Sequence, residues 1–215
     1  MSRSYLDPPR PIVALATPPG ASALALIRCS GPGSLELLAG LFSRPAALRG
    51  ARTSSLVHGF LVDPGLEGGG ARVDEVLVAV YRGPAGPTGE DAFDLSCHGS
   101  SAVVRRALSL LERYGFAPAL PGEFSFRAFS NGKLDLPRAE AVAELVSARS
   151  EAARAAALDR LEGGLSRRLS GARASLLGLL AQIELRLDYG EDEVEEALDP
   201  SLVLGLRDEL AALAS

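Results

Sequence analysis

The sequence predicts an α+β fold in two parts, a mixed α/β domain over residues 1–120 and an all-helical segment with a long helix over 121–215. Two observations carry this reading. Up to about Pro118, short apolar runs alternate with Gly and Pro punctuation, the pattern of strands joined by turns and short helices. Beyond Pro121 the punctuation thins and apolar residues recur at helical spacing. A chain of 215 residues can bury a core without disulfides or metals.

Strands are expected at 12–16, 24–29, 55–62, 73–81 and 92–98. Between them, 34–42 places Leu37, Leu38 and Leu41 on one helical face, and 102–114 does the same with Val104, Leu108 and Leu111. Gly68, Gly69 and Gly70 fall between two strands and read as a hairpin tip. No helix follows them, so they are no phosphate cradle. Asp135 is a suitable N-cap and Pro137 fits a first helical turn. From there Leu145, Ala148, Ala152, Ala156, Leu161, Leu165, Leu169, Ala172, Leu176, Leu179, Ile183 and Leu187 form one very long helix, or two with a break near Gly163 and Gly164. Such a stripe needs other helices to cover it. An acidic loop is expected over 188–199, then a short amphipathic helix over 202–213.

Cys29 and Cys97 fall in strands and read as reduced core thiols, and with only His58 and His98 besides, a zinc site lacks ligands. The net charge is −5 with basic residues scattered, unlike the footprint of a stand-alone nucleic-acid binder. Neither a signal-type apolar stretch near Met1 nor an apolar run long enough to span a bilayer is visible, so a cytoplasmic setting without membrane contact is expected. Nucleotide-binding motifs are not found: the one Gly-Lys pair, Gly132-Lys133, has Arg127 where a P-loop needs glycine and Leu134 where it needs Ser or Thr.

Three residues stand out for their chemistry. Arg28 is embedded in an apolar strand. Asp94 alternates with Phe93 and Leu95, so it shares a sheet face with Ser96 and His98. Lys133 sits in a turn before the long helix.

The block PGEFSFRAFSNGKLDL (121–136) and its continuation to Ser166, together with IVALATPPG (12–20), IRCSG (27–31) and TGEDAFDLSCHG (88–99), resembles the MnmE (TrmE) family of tRNA modification GTPases in order and spacing. LDYGEDEVEE (187–196) resembles the acidic loop before that family's GTPase domain. The resemblance implies a folate-binding, dimerising N-terminal domain similar to the tetrahydrofolate-binding domain of aminomethyltransferases, then the first part of a helical domain that stops where the GTPase domain is inserted.

It further implies a cytoplasmic homodimer working with a flavin-dependent MnmG (GidA)-like partner on carbon five of the wobble uridine of tRNA. The implied cofactor is a formyl or methylene tetrahydrofolate, with GTP, potassium and magnesium belonging to the GTPase domain. By motif position the folate contacts fall on Arg28, Asp94 and Lys133, and no catalytic residue is assigned. A carboxylate suits the amino-pyrimidine edge of a pterin, and the two cations suit carbonyls and a glutamate tail. The family usually has glutamate at the place of Asp94, and a glycine-rich turn where this chain has Ala21-Ser22-Ala23-Leu24-Ala25. The alternative is a ligand-free dimerisation scaffold.

Overall fold

The computed structural model describes residues 4–5, 7, 9–65, 70–188 and 200–214, and the chain divides into two units, Met1–Leu134 and Asp135–Ser215. The first unit is α+β, as expected. Its strands are β1 (Ile12–Leu15), β2 (Leu24–Ser30), β3 (Ser55–Asp63), β4 (Ala71–Tyr81), β5 (Ala92–His98) and β6 (Ala117–Pro118). They form one sheet in the order β3-β4-β5-β2-β1-β6, antiparallel except for the parallel contact of β1 with β6.

Its helices are α1 (Ser34–Ala39), α2 (Pro45–Gly50), α3 (Ser101–Arg113) and α4 (Glu123–Ser130). Side-chain alternation decides which sheet face they cover. Ile27, Cys29, Val76, Val78, Val80, Phe93, Leu95 and Cys97 point into one core with Leu38 of α1 and Leu110 and Leu111 of α3. The opposite face carries Arg28, Asp94, Ser96 and Tyr81 beside the exposed Leu24, Leu56 and Leu77.

The expected strands are found. β6 was not expected, being two residues long and containing a proline. α1 stops at Ala39, short of the expected 34–42, because the chain turns to place Phe42 in a bridge to Leu61. That turn shields the β3 edge: Ser43 N–H donates to Phe60 O (3.0 Å), Ser43 Oγ accepts from Phe60 N–H (2.9 Å) and Val62 N–H donates to Leu41 O (2.8 Å). The local sequence pattern predicts neither α2 nor α4. α4 carries Phe124, Phe126 and Phe129 at spacings that make no helical stripe.

The second unit contains α5 (Leu136–Ser147), α6 (Glu151–Leu161), α7 (Gly164–Asp188) and α8 (Pro200–Ala214). Asp135 caps α5, accepting from Arg138 N–H at 3.0 Å, with Pro137 in the first turn. The stretch expected as one helix or two is three. The break at Gly163, where φ is +85°, lies near the expected place. A further break at 148–150 arises because Ala148 turns extended and Ser150 Oγ caps α6 by accepting from Ala153 N–H at 3.2 Å. Each interruption resets the helical phase. Ala172 of the expected stripe and Ala157 outside it are therefore buried, while Ala152, Ala156, Leu169 and Leu176 of that stripe are exposed. The terminal helix expected over 202–213 is α8. The glycines at 68–69 and the acidic segment 189–199 lie outside the described residues. No helix among the described residues is long and apolar enough to cross a membrane.

Candidate binding site in the first unit

Arg28 and Asp94 occupy directly opposed positions on β2 and β5. Each owes its direction to strand alternation: Ile27 and Cys29 turn inward on β2, and Phe93 and Leu95 turn inward on β5, so Arg28 and Asp94 meet on the other face. Their contact is a two-point fork. Arg28 Nε donates to Asp94 Oδ1 and Arg28 Nη2 to Asp94 Oδ2, both at 2.8 Å. The two ends differ in access, since the Arg28 side chain is 40% exposed and that of Asp94 only 11%. Hydrogen bonding to Asp94 raises the guanidinium's pKa further, so Arg28 keeps its charge.

Lys133 is not drawn into that pair. Its ammonium donates to Pro84 O at 3.1 Å, in the loop between β4 and β5. The turn that presents it is the C-terminal closure of α4, in which Gly132 has φ +69° and Lys133 N–H returns to Ala128 O at 2.8 Å. Asn131 Nδ2 donates to Thr88 O (2.7 Å), tying the same turn to the same loop. Gly89 permits the fit: a Cβ there would lie 2.9 Å from Asn131 Cβ and 3.3 Å from Lys133 Cγ.

A second polar cluster, which sequence reasoning did not single out, holds these pieces. Arg127 of α4, only 11% exposed, donates from Nη1 to Glu90 Oε2 (3.1 Å) and from Nη2 to Glu123 Oε1 (2.9 Å) and Arg10 O (2.9 Å). Ser30 Oγ, at the end of β2, donates to Glu90 Oε2 (2.9 Å) and lies 2.7 Å from Thr88 Oγ1. Glu123 also accepts from Leu120 N–H at 2.8 Å, anchoring the start of α4. The i,i+4 spacing of Glu123 and Arg127 was a usable signal once α4 is known to be a helix. Glu90, four residues before Asp94, gave none.

This chemistry suits binding. Burial pushes the Cys29 thiol well up and the Cys97 thiol up to about 11, so both are inert core groups, unbridged as expected. The turn Ala21-Ser22-Ala23-Leu24 is exposed, and its backbone pairs with Gly99 through Ser22 N–H to Gly99 O (3.1 Å) and Gly99 N–H to Ala23 O (3.2 Å). Nearby, His98 Nδ1 lies 2.8 Å from Asp74 Oδ1, and the hydrogen bond to that carboxylate raises the imidazole's pKa.

Residues 11–133 match the family described as GTP-binding protein TrmE N-terminus, and residues 136–214 match the MnmE helical domain. The chain belongs to the MnmE (TrmE) family. Similar curated proteins, each named tRNA modification GTPase MnmE, come from Treponema denticola (40% identical over 206 residues, 95% of this chain and 43% of that protein), Thermus thermophilus (46% over 187 residues, 86% and 42%) and Moorella thermoacetica (42% over 204 residues, 94% and 43%). The chain thus spans less than half the length of these MnmE relatives. The boundary between the two family matches, at 133/136, accompanies the structural division at Leu134/Asp135, which leaves α4 and Lys133 in the first unit. The sequence had put this division at 120/121. α4 stays with the sheet because Arg127 and Asn131 bond to its loops.

Proposed function

We propose that this chain is the N-terminal part of a GTPase that modifies the wobble uridine of tRNA, and that its first unit binds a tetrahydrofolate and pairs two copies of the chain. Family membership and the relatives' shared name support the tRNA role. The observation that supports the ligand is a set of two donors and one acceptor: the exposed edge of the Arg28 guanidinium, the Asp94 carboxylate opposite it, and Lys133 held by the α4 turn. Residues of this kind fit a folate, whose pterin edge presents hydrogen-bond donors and whose tail is anionic. When bound, the folate supplies a one-carbon unit. Arg28 and Lys133 hold its acceptors, Asp94 orients its donor edge, and none of the three moves a proton.

The sheet face around Arg28, with exposed Leu24, Leu56 and Leu77, supports pairing of two copies. GTP, potassium and magnesium belong to a GTPase domain outside this chain, and the flavin-dependent MnmG-like partner and tRNA engage the whole assembly in the cytoplasm. Calorimetry with 5-formyltetrahydrofolate tests the ligand, and light scattering tests the dimer. Saturable binding weakened by Lys133→Ala is expected. No binding to either wild type or Asp94→Glu would remove the folate.

One observation favours a second reading, a dimerisation scaffold without ligand: Arg28 already engages both oxygens of Asp94. A dimer that binds no folate even as Asp94→Glu is the outcome that selects it.

A further inference from the structure

The fork between Arg28 and Asp94 has a consequence for how a ligand could be read. Both Asp94 oxygens accept from Arg28 at 2.8 Å, and the carboxylate lies close to its strand, 11% exposed, beneath a guanidinium that is 40% exposed. An approaching molecule therefore meets the cation first. A guanidinium has five N–H donors, and the fork uses two. The remaining donors attract acceptors and anions. An amino-pyrimidine edge brings donors instead, and it finds the guanidinium in front of the carboxylate it needs. Asp94 has only one methylene, so it cannot reach past the arginine.

The arginine is the mobile member of the pair. Both strands are interior, so the difference lies in the side chains: Arg28 has three methylenes and a half-exposed head, whereas Asp94 has one methylene and is 11% exposed. Lys133, anchored on Pro84 O, offers a second cation from the α4 turn.

We propose that the Arg28–Asp94 pair is a latch that couples recognition of the two ends of a folate: the anionic tail draws Arg28 away, and only then does Asp94 accept the pterin edge. This rests on the folate reading above. The latch makes the site selective for a ligand carrying both a donor edge and an acceptor-rich or anionic arm, and poor for the pterin head alone. The fork costs no more than a partly exposed ion pair to open, so the tail's carboxylates suffice to exchange with it.

Calorimetry on the full chain with two probes tests this, 5-formyltetrahydrofolate as the whole ligand and 6-methyltetrahydropterin as the head without a tail. In wild type the whole ligand should bind and the head should bind far more weakly. In Arg28→Gln, with Asp94 uncovered, the head should gain about tenfold in affinity, equivalent to 1.4 kcal/mol, while the whole ligand loses affinity. Opposite signs for the two probes cannot come from a general loss of structure. If Arg28→Gln does not fold, as judged by circular dichroism, Arg28→Lys serves, because lysine cannot make the two-point fork and should move both probes in the same directions by a smaller amount. Loss of affinity for both probes, or a head that binds wild type as tightly as the whole ligand, overturns the latch and leaves the folate site standing. Absence of binding by the whole ligand to wild type overturns the folate reading and takes the latch with it.

Discussion

The two units stabilise themselves by different means. In the first, large side chains such as Phe93, Ile27, Leu38, Leu95 and Leu111 are completely buried between the sheet and its helices. In the second, the buried apolar residues are mainly small, Ala141, Ala157 and Ala172 with Leu206, while Leu176, Leu177, Leu180, Ile183 and Leu187 of α7 are exposed. The stabilisation from apolar burial scales with area removed from water, so the sheet unit carries its own core and the helical unit draws far less from its own leucines. The proposed binding site, which needs fixed geometry, accordingly lies on the first.

Substitutions in the two units should therefore differ in size. Phe93→Ala, which empties the middle of the sheet core, should cost about 3–5 kcal/mol in urea unfolding. Arg127→Ala should follow at about 3 kcal/mol, since it strands the Glu90 and Glu123 carboxylates without their buried partner. In the helical unit, Ser150→Ala removes the α6 cap and should cost about 1 kcal/mol. Leu180→Ala should change stability by less than about 0.5 kcal/mol, as expected of an exposed site. A larger loss there would show α7 to be covered in solution, and the contrast between the units would collapse.

The smallest effect is a pH dependence. The folded-state pKa of His98 is raised by Asp74, so its contribution is fully present below the ordinary histidine range and fades as pH rises through the raised value. Asp74→Asn should bring the imidazole titration seen by NMR back toward that ordinary range and flatten this part of the profile.

Sequence patterns revealed most of the sheet because alternation with Phe93, Leu95 and Cys97 inward is a strong signal, and the same alternation placed Arg28 and Asp94 on the other face. What periodicity could not show was their pairing, which depends on the register of two strands whose paired residues lie 66 positions apart. It also missed α4, which Arg127 ties to the distant Glu90 and Arg10 O. The break at Ser150 was legible in principle, as a capping residue before Glu151, but it was masked by an alanine-rich run of high helix propensity. The Lys133 contact with Pro84 depends on a loop brought alongside the α4 turn, which no local pattern encodes.

The parallel pairing of β1 with β6 also has a consequence for biosynthesis. Ile12 sits beside Ala117, and Pro11 O receives Ala117 N–H at 2.9 Å, so the first strand lacks one neighbour until the last is made. Closing so long a span is entropically costly, and a nascent chain still short of β6 leaves that flank of the sheet open to unwanted strand pairing. The first unit thus completes its sheet late in its own synthesis, once residues 117–118 have emerged.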